Sequence, residues 1–272
     1  MYRILKLIGL MVVFSLFLAA TAYGAPIPRT DEIVVLAETV NDSISYWSFD
    51  EGSGSTAADT AAAGNSNDGT LINDPQWVTG ISSNALRLNP GSGQYVQSVN
   101  NGDSLSIPSG GISITAWIRP DDINDEKVIL AKDKFAVSSR GNYFFSMVYG
   151  HLEFGFSPQP TGSDVWIDTV YPVIAENKWS FVAVTFNYGT GEKPIVYVNG
   201  KQVELDSWQG SGDQANAPNT YSDPLYIGRS IDAGWFFGGV MDEIKLYDRV
   251  LTPEEIAAEI TLFYLPIVVN NN

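Results

Sequence analysis

Ile112-Ser113-Ile114-Thr115-Ala116-Trp117-Ile118-Arg119 decides the fold class. Ile112, Ile114, Ala116 and Ile118 alternate with Ser113, Thr115, Trp117 and Arg119, the period-two pattern of a β-strand that lays one face on a core. Trp179–Phe186 is apolar in both alternating sets, which predicts a strand covered on both sides in the middle of a sandwich. Asn199-Gly200 follows Tyr197-Val198 and precedes Lys201; this dipeptide accepts the positive φ angles of a type I′ turn, so a hairpin is expected there. Outward from these, β-branched and aromatic runs recur between Gly, Asn, Ser and Asp clusters, at 45–50, 85–88, 94–99, 128–132, 143–149, 152–157, 202–205, 225–228 and 239–247. One helix is expected: Thr252-Pro253-Glu254-Glu255 supplies an N-cap, a proline at N1 and a capping-box glutamate ahead of a short turn at 256–260. The chain therefore reads as all-β with one short C-terminal helix.

Composition narrows the partners. Of 272 residues, 44% are hydrophobic and 17% charged, enough apolar surface to bury a core. Fifteen Lys and Arg face 31 Asp and Glu, a net charge of −16 that argues against nucleic acid and anionic lipid. With no cysteine there is neither a disulfide nor a thiolate zinc site, and a single histidine excludes His-rich metal centres. Arg3 and Lys6 precede an apolar run from Leu7 to Ala20, and Ala22-Tyr23-Gly24 offers small residues for cleavage, so 1–24 is expected to be a secretory signal peptide. The run falls short of the roughly 20 residues a membrane span needs. Its two basic residues leave with it, taking the net charge to −18. The expected product is a secreted or cell-surface protein, without membrane insertion after cleavage, and the missing cysteines fit a bacterial exporter. Residues 25–43 read as an arm or linker, 44–260 as the domain and 261–272 as a tail.

In Gly239–Tyr247, an unbroken strand would put Val240, Asp242, Ile244 and Leu246 on one face and Met241, Glu243, Lys245 and Tyr247 on the other. Asp242 would then stand among apolar neighbours, where a carboxylate needs a partner. Near the start of the domain, Asp50, Glu51, Asp59 and the stretch Gly64-Asn65-Ser66-Asn67-Asp68-Gly69 concentrate oxygen donors and glycines. Such a loop suits calcium, or is a solvated turn with Asx caps.

The order of motifs resembles a known family. Ile44-Ser45-Tyr46-Trp47-Ser48-Phe49-Asp50-Glu51-Gly52, Asp68-Gly69-Thr70-Leu71, Ala85-Leu86-Arg87-Leu88, Ile114–Pro120, Trp179–Phe186, Tyr197–Gly200, Leu225–Gly228 and Gly238–Tyr247 are similar to a LamG-like jelly-roll domain of the concanavalin A-like lectin/glucanase superfamily over 44–260. The resemblance implies two antiparallel sheets packed face to face, with the first and last strands side by side. It also implies a structural calcium near that junction, with Asp59 and Asp242, together with Asn65 or neighbouring carbonyls, as ligands and Asp50 as a further candidate.

The superfamily also holds retaining glucanases, which need two carboxylates about 5–5.5 Å apart. The Glu-x-Asp-x-Glu pattern of those enzymes is absent, Glu153 stands alone on its strand, Asp242 and Glu243 are expected on opposite faces, and no Gly-x-Ser-x-Gly elbow accompanies His151. A non-catalytic, carbohydrate-binding role is expected. A protein-binding adhesion module is the alternative, and a glycan hydrolase or lyase a third. Sugars stack on aromatic faces, and the aromatics in or beside turns are the candidates: Tyr149, His151, Trp166, Tyr171, Trp208, Trp235 and Phe236. Trp47, Trp117 and Trp179 belong to regular strands and are expected in the core.

Overall fold

In the computed structural model the described residues are 42–64, 66–99, 103–132, 141–160, 163–220, 222–230 and 235–264, with residues 262–264 described through their backbone alone. The expected signal peptide, the arm up to residue 41 and the tail from residue 265 lie outside them. In chain order the strands are β1 (Ser45–Trp47), β2 (Thr56–Ala57), β3 (Gly69–Ile72), β4 (Gln76–Thr79), β5 (Asn84–Leu88), β6 (Tyr95–Ser98), β7 (Gly111–Pro120), β8 (Glu126–Lys132) and β9 (Tyr143–Val148). They continue with β10 (His151–Phe156), β11 (Val165–Asp168), β12 (Ser180–Asn187), β13 (Ile195–Val198), β14 (Lys201–Val203), β15 (Gln209–Gly210), β16 (Leu225–Ile227) and β17 (Gly239–Tyr247), followed by the helix α1 (Pro253–Tyr264).

Two antiparallel sheets result. One has eight strands in the order β14-β13-β12-β7-β17-β5-β4, with β1 also paired to β17; the other has nine, β15-β11-β10-β9-β8-β16-β6-β3-β2. First and last strands lie side by side, with Ser45 opposite Leu246 and Trp47 opposite Ile244. The Asn199–Gly200 turn has φ of 49° and 77°, the expected type I′ hairpin between β13 and β14. Ile112, Ile114, Ala116 and Ile118 of β7 and Val182, Val184 and Phe186 of β12 meet Phe145, Met147, Leu152, Phe154 and Phe156 of the other sheet in one buried layer. This is the two-sheet, jelly-roll sandwich expected, and Trp47 is fully buried in it.

The eight-stranded sheet is covered on its outer face too. Trp117, Phe181, Ala183, Tyr197 and Tyr247 point away from the sandwich and are sealed by Leu251 and by Ile256 of α1. That second layer explains why β12 is apolar on both faces. The helix starts as expected, with Thr252 Oγ1 accepting from Glu255 N at 3.2 Å and Glu255 Oε2 from Thr252 N at 2.8 Å. It runs for 12 residues, past the turn expected at 256–260. Its Glu259 ties it to the sheet, receiving Lys245 Nζ at 2.6 Å and Tyr247 Oη at 2.8 Å. No helix among the described residues is long and apolar enough to cross a membrane.

One expectation is corrected. The pairing of β17 with β7 shifts register between Asp242 and Lys245, and Glu243 sits there at φ 52°, the mark of a bulge. An extra residue reverses the parity of everything beyond it. Met241 before the bulge and Ile244 and Leu246 after it face the inter-sheet core. Asp242, opposite Trp117, faces outward. Glu243 lies on that outer side as well, where Tyr46 Oη donates to it, so the two carboxylates do not point to opposite faces.

Ile256→Ala removes a fully buried side chain from the helix–sheet layer and is expected to cost about 2–5 kcal/mol. Urea unfolding measures it; an unchanged midpoint would mean that α1 does not seal that face.

Candidate functional site

Three connections bring aromatic and acidic side chains together at one end of the sandwich. After β7, the segment 121–125 leads into β8, and Asp122 folds it locally as an Asx turn, its Oδ1 accepting from Asn124 N at 3.0 Å. The same oxygen lies 3.0 Å from Lys127 Nζ. The Asn124 N–H, reinforced by that ammonium, holds the Asp122 carboxyl below the usual carboxylate range. Tyr149 and Gly150, at φ 49° and 80°, form the two-residue turn between β9 and β10. Trp235 and Phe236 precede β17. The Trp235 carbonyl accepts from Val128 N at 3.3 Å, and its ring packs on Val128, Ala131 and Phe144, on the outer face of the nine-stranded sheet.

Between these segments opens a groove of about 600 Å³, lined by Tyr149, Trp235, Phe236, Pro90 and Val148 and by Asp122, Asp125, Glu126 and Lys127. Tyr149 is 62% exposed, Trp235 and Phe236 half-buried. Arg229 stacks beside the groove, its guanidinium 4.8 Å from the Tyr95 ring centre, 5.5 Å from Phe236 and 5.8 Å from Tyr226. A second cavity, about 270 Å³, is lined among the described residues by Asp103, Ser106, Pro108, Thr220 and Ser222.

Of the aromatic candidates, Tyr149, Trp235 and Phe236 converge on this groove. Trp166 sits on the same outer apolar cluster as Trp235. His151 follows the Tyr149 turn, with Nδ1 2.7 Å from the Thr169 carbonyl. Tyr171, 68% exposed, belongs to the segment whose Val173 and Ile174 amides donate to the Gly150 carbonyl. Trp208 is placed otherwise: its ring packs edge-on against Phe186 at 5.7 Å and Phe156 at 6.1 Å, as a lid on the core. Trp179 is half-buried under the Arg119 guanidinium. The groove carboxylates were not among the sequence candidates; the only signal for them is the acidic run from Asp121 to Glu126 after a strand.

Of the carboxylates expected to hold calcium, Asp59 is held within its own loop and against β1. Asp59 Oδ1 accepts from Tyr46 N at 2.9 Å and Ala61 N at 3.1 Å, and Oδ2 from Ser45 Oγ at 3.0 Å and Asn67 N at 3.1 Å. Four donors occupy both oxygens. Asp242 Oδ2 accepts from Ile81 N at 2.8 Å, in a fit so close that a Cβ on Gly80 would lie 2.3 Å from it. Its Oδ1 is buried and unpartnered. Asp50 accepts from Asn84 N at 3.2 Å, and Asn65 lies outside the described residues. Among the described residues no three His, Cys, Asp or Glu side chains are arranged to hold a metal ion. Burial, with Glu243 and Asp50 nearby, pushes Asp242 up to about 8, and burial pushes Glu243 to about 7.

A family profile described as the concanavalin A-like lectin/glucanases superfamily (Laminin_G_3) matches residues 90–257, and the chain belongs to that family. The fold is similar to the binding domain of Paraclostridial Mosquitocidal Protein 1, at TM-score 0.63 and 16% identity, covering 83% of this chain and 52% of that one. It is also similar to the binding domain of Botulinum neurotoxin DC. The structure of that domain in complex with SialylT matches at TM-score 0.58 and 15% identity, and the one in complex with rat synaptotagmin II at 0.59 and 14%. Each of these covers 82% of this chain and 52% of the other, so the chain spans about half the length of the structures it matches.

The buried Asp242 makes stability depend on pH. Its folded value of about 8 lies above the ordinary 3.8, so between those values the folded chain keeps a proton that the unfolded chain releases. Stability is fully present at low pH and falls as pH rises, by up to about 1.4 kcal/mol per unit from this group. Asp242→Asn is expected to flatten that slope in urea titrations between pH 5 and 8. The wild-type midpoint is expected to be equal in calcium and in EGTA; a calcium-dependent rise absent from Asp242→Asn would show that a cation reaches Oδ1.

Proposed function

We propose that this chain is a non-catalytic, lectin-like carbohydrate-binding module, secreted or displayed at a cell surface, whose glycan lies in the Tyr149–Trp235 groove. The observation that carries this is the conformation of Tyr149. A two-residue type I′ turn favours Asn, Asp or Gly at its first position, and a bulky residue held at φ 49° costs roughly 1–2 kcal/mol. Here that position presents an exposed aromatic ring to the groove, opposite carboxylates able to accept sugar hydroxyls. Backbone strain retained where a ring faces solvent supports a functional role for that position.

Membership of a superfamily that includes lectins supports the reading, as does the SialylT complex of a domain with the same fold. The synaptotagmin complex favours the second reading, a protein-binding module on the same scaffold. A general acid needs a raised pKa, whereas Asp122 in the groove is lowered, and the raised Asp242 and Glu243 are 0% and 4% exposed, out of reach of a polysaccharide. Export rests on Arg3, Lys6 and the apolar run to Ala20, and N-terminal sequencing of secreted protein beginning near Ala25 would support it.

Tyr149→Asn separates binding from folding. It is expected to raise stability by about 0.5–1 kcal/mol while weakening glycan binding, and Trp235→Ala to weaken binding about tenfold or more. A glycan array followed by calorimetry measures both. Absence of any glycan ligand for the full chain, with capture of a surface protein instead, would replace the first reading by the second.

A further inference from the structure

The carbohydrate reading leaves the sugar unspecified, and the charge of the groove narrows it. Resting on that reading, we propose that the groove selects amino-sugar oligomers bearing free, protonated amines and rejects acidic glycans. Asp125 is exposed on the groove wall and makes no hydrogen bond or ion pair with a described residue. Asp122 is ionised throughout the neutral range, held there by the Asn124 amide and the Lys127 ammonium. Glu126 adds a third carboxylate to the lining.

Two cations among the described residues near the groove are committed. Lys127 is 4% exposed, and its ammonium is held by Asp122 at 3.0 Å. Arg229 lies flat on Tyr95, Tyr226 and Phe236, with its Nε donating to the Ser230 carbonyl at 3.0 Å. Among the described residues, Asp125 is thus an unpaired carboxylate on the groove wall, beside Asp122 and Glu126, while the one lining ammonium is held by Asp122 and the Arg229 guanidinium lies against the rings. Tyr149 and Trp235 supply ring faces, which attract both the C–H surface of a pyranose and a positive charge. A protonated amine on a stacked sugar gains from ring and carboxylate together. A uronic or sialic carboxylate would meet Asp125 as a like charge, in the field of a chain carrying −16 overall.

The test uses the full chain and three probes of equal length at pH 6 and low salt, followed by calorimetry: a β-1,4-linked glucosamine tetramer, its fully N-acetylated counterpart, and tetragalacturonate. The glucosamine tetramer is expected to bind about tenfold or more tightly than the acetylated one, with no measurable binding of tetragalacturonate. Asp125→Asn, an exposed substitution, is expected to remove most of that preference, weakening binding of the glucosamine tetramer more than of the acetylated probe. High salt should narrow the preference in the same way. Equal or tighter binding of the acetylated or acidic probe overturns the amine selectivity and leaves the carbohydrate reading standing. Binding of none of the three, joined by an empty glycan array, overturns both.

Discussion

A strand buried on both faces in the middle of a sheet leaves no water for any polar group on it, and β17 is such a strand, buried at every position from Gly239 to Tyr247. It pairs with β7, with β5 and with β1, so the ends of the domain meet on it. Its polar side chains dictate what covers it. Lys245 requires Glu259 and thereby fixes α1. Glu243 receives Tyr46 from β1. Asp242 receives the amide of Ile81, so the segment before β5 folds over the sheet there. A second hydrophobic layer, with Trp117 and Phe181 beneath Ile256, closes around these contacts.

Much of this was legible in the residues. Alternation in β7, the doubly apolar β12, the Asn199-Gly200 turn and the Thr252 capping box each report a local preference that the fold satisfies, and local preferences are what a sequence displays directly. The bulge was not legible. Nothing at Glu243 announces a positive φ, and a period-two reading assumes an unbroken ladder, so the parity of Asp242 came out reversed. Two-residue strands such as Thr56–Ala57 and Gln209–Gly210 exist only through their partners and leave no pattern of their own. Trp208 illustrates a related difficulty at the level of function. Its flanking turn residues match those of a binding loop, and only the positions of Phe156 and Phe186 show that it faces inward.

The groove gathers residues far apart in sequence because each sits at the end of a rigid element. Tyr149 is fixed by the β9–β10 register, Asp122 by its Asx turn after β7, and Trp235 by the Val128 amide. Composition could nominate the rings one by one; their convergence, and the acids set among them, required the topology. Such placement needs little rearrangement to receive a ligand, which lowers the entropy cost of binding. Asp59 is the converse case. The family resemblance implies it as a metal ligand; in the fold four donors from three segments make it a hydrogen-bonded clasp for the start of the domain.

Both margins of the nine-stranded sheet are strands of two residues, β2 and β15, while the eight-stranded sheet ends on β14, which begins with Lys201, and on the four-residue β4. A row of unpaired amides and carbonyls only two residues long gives another copy almost nothing to extend, and a lysine on a margin discourages a neighbouring chain further. At both of its margins, the nine-stranded sheet of this cysteine-free chain therefore offers a neighbouring copy almost no ladder on which to anneal.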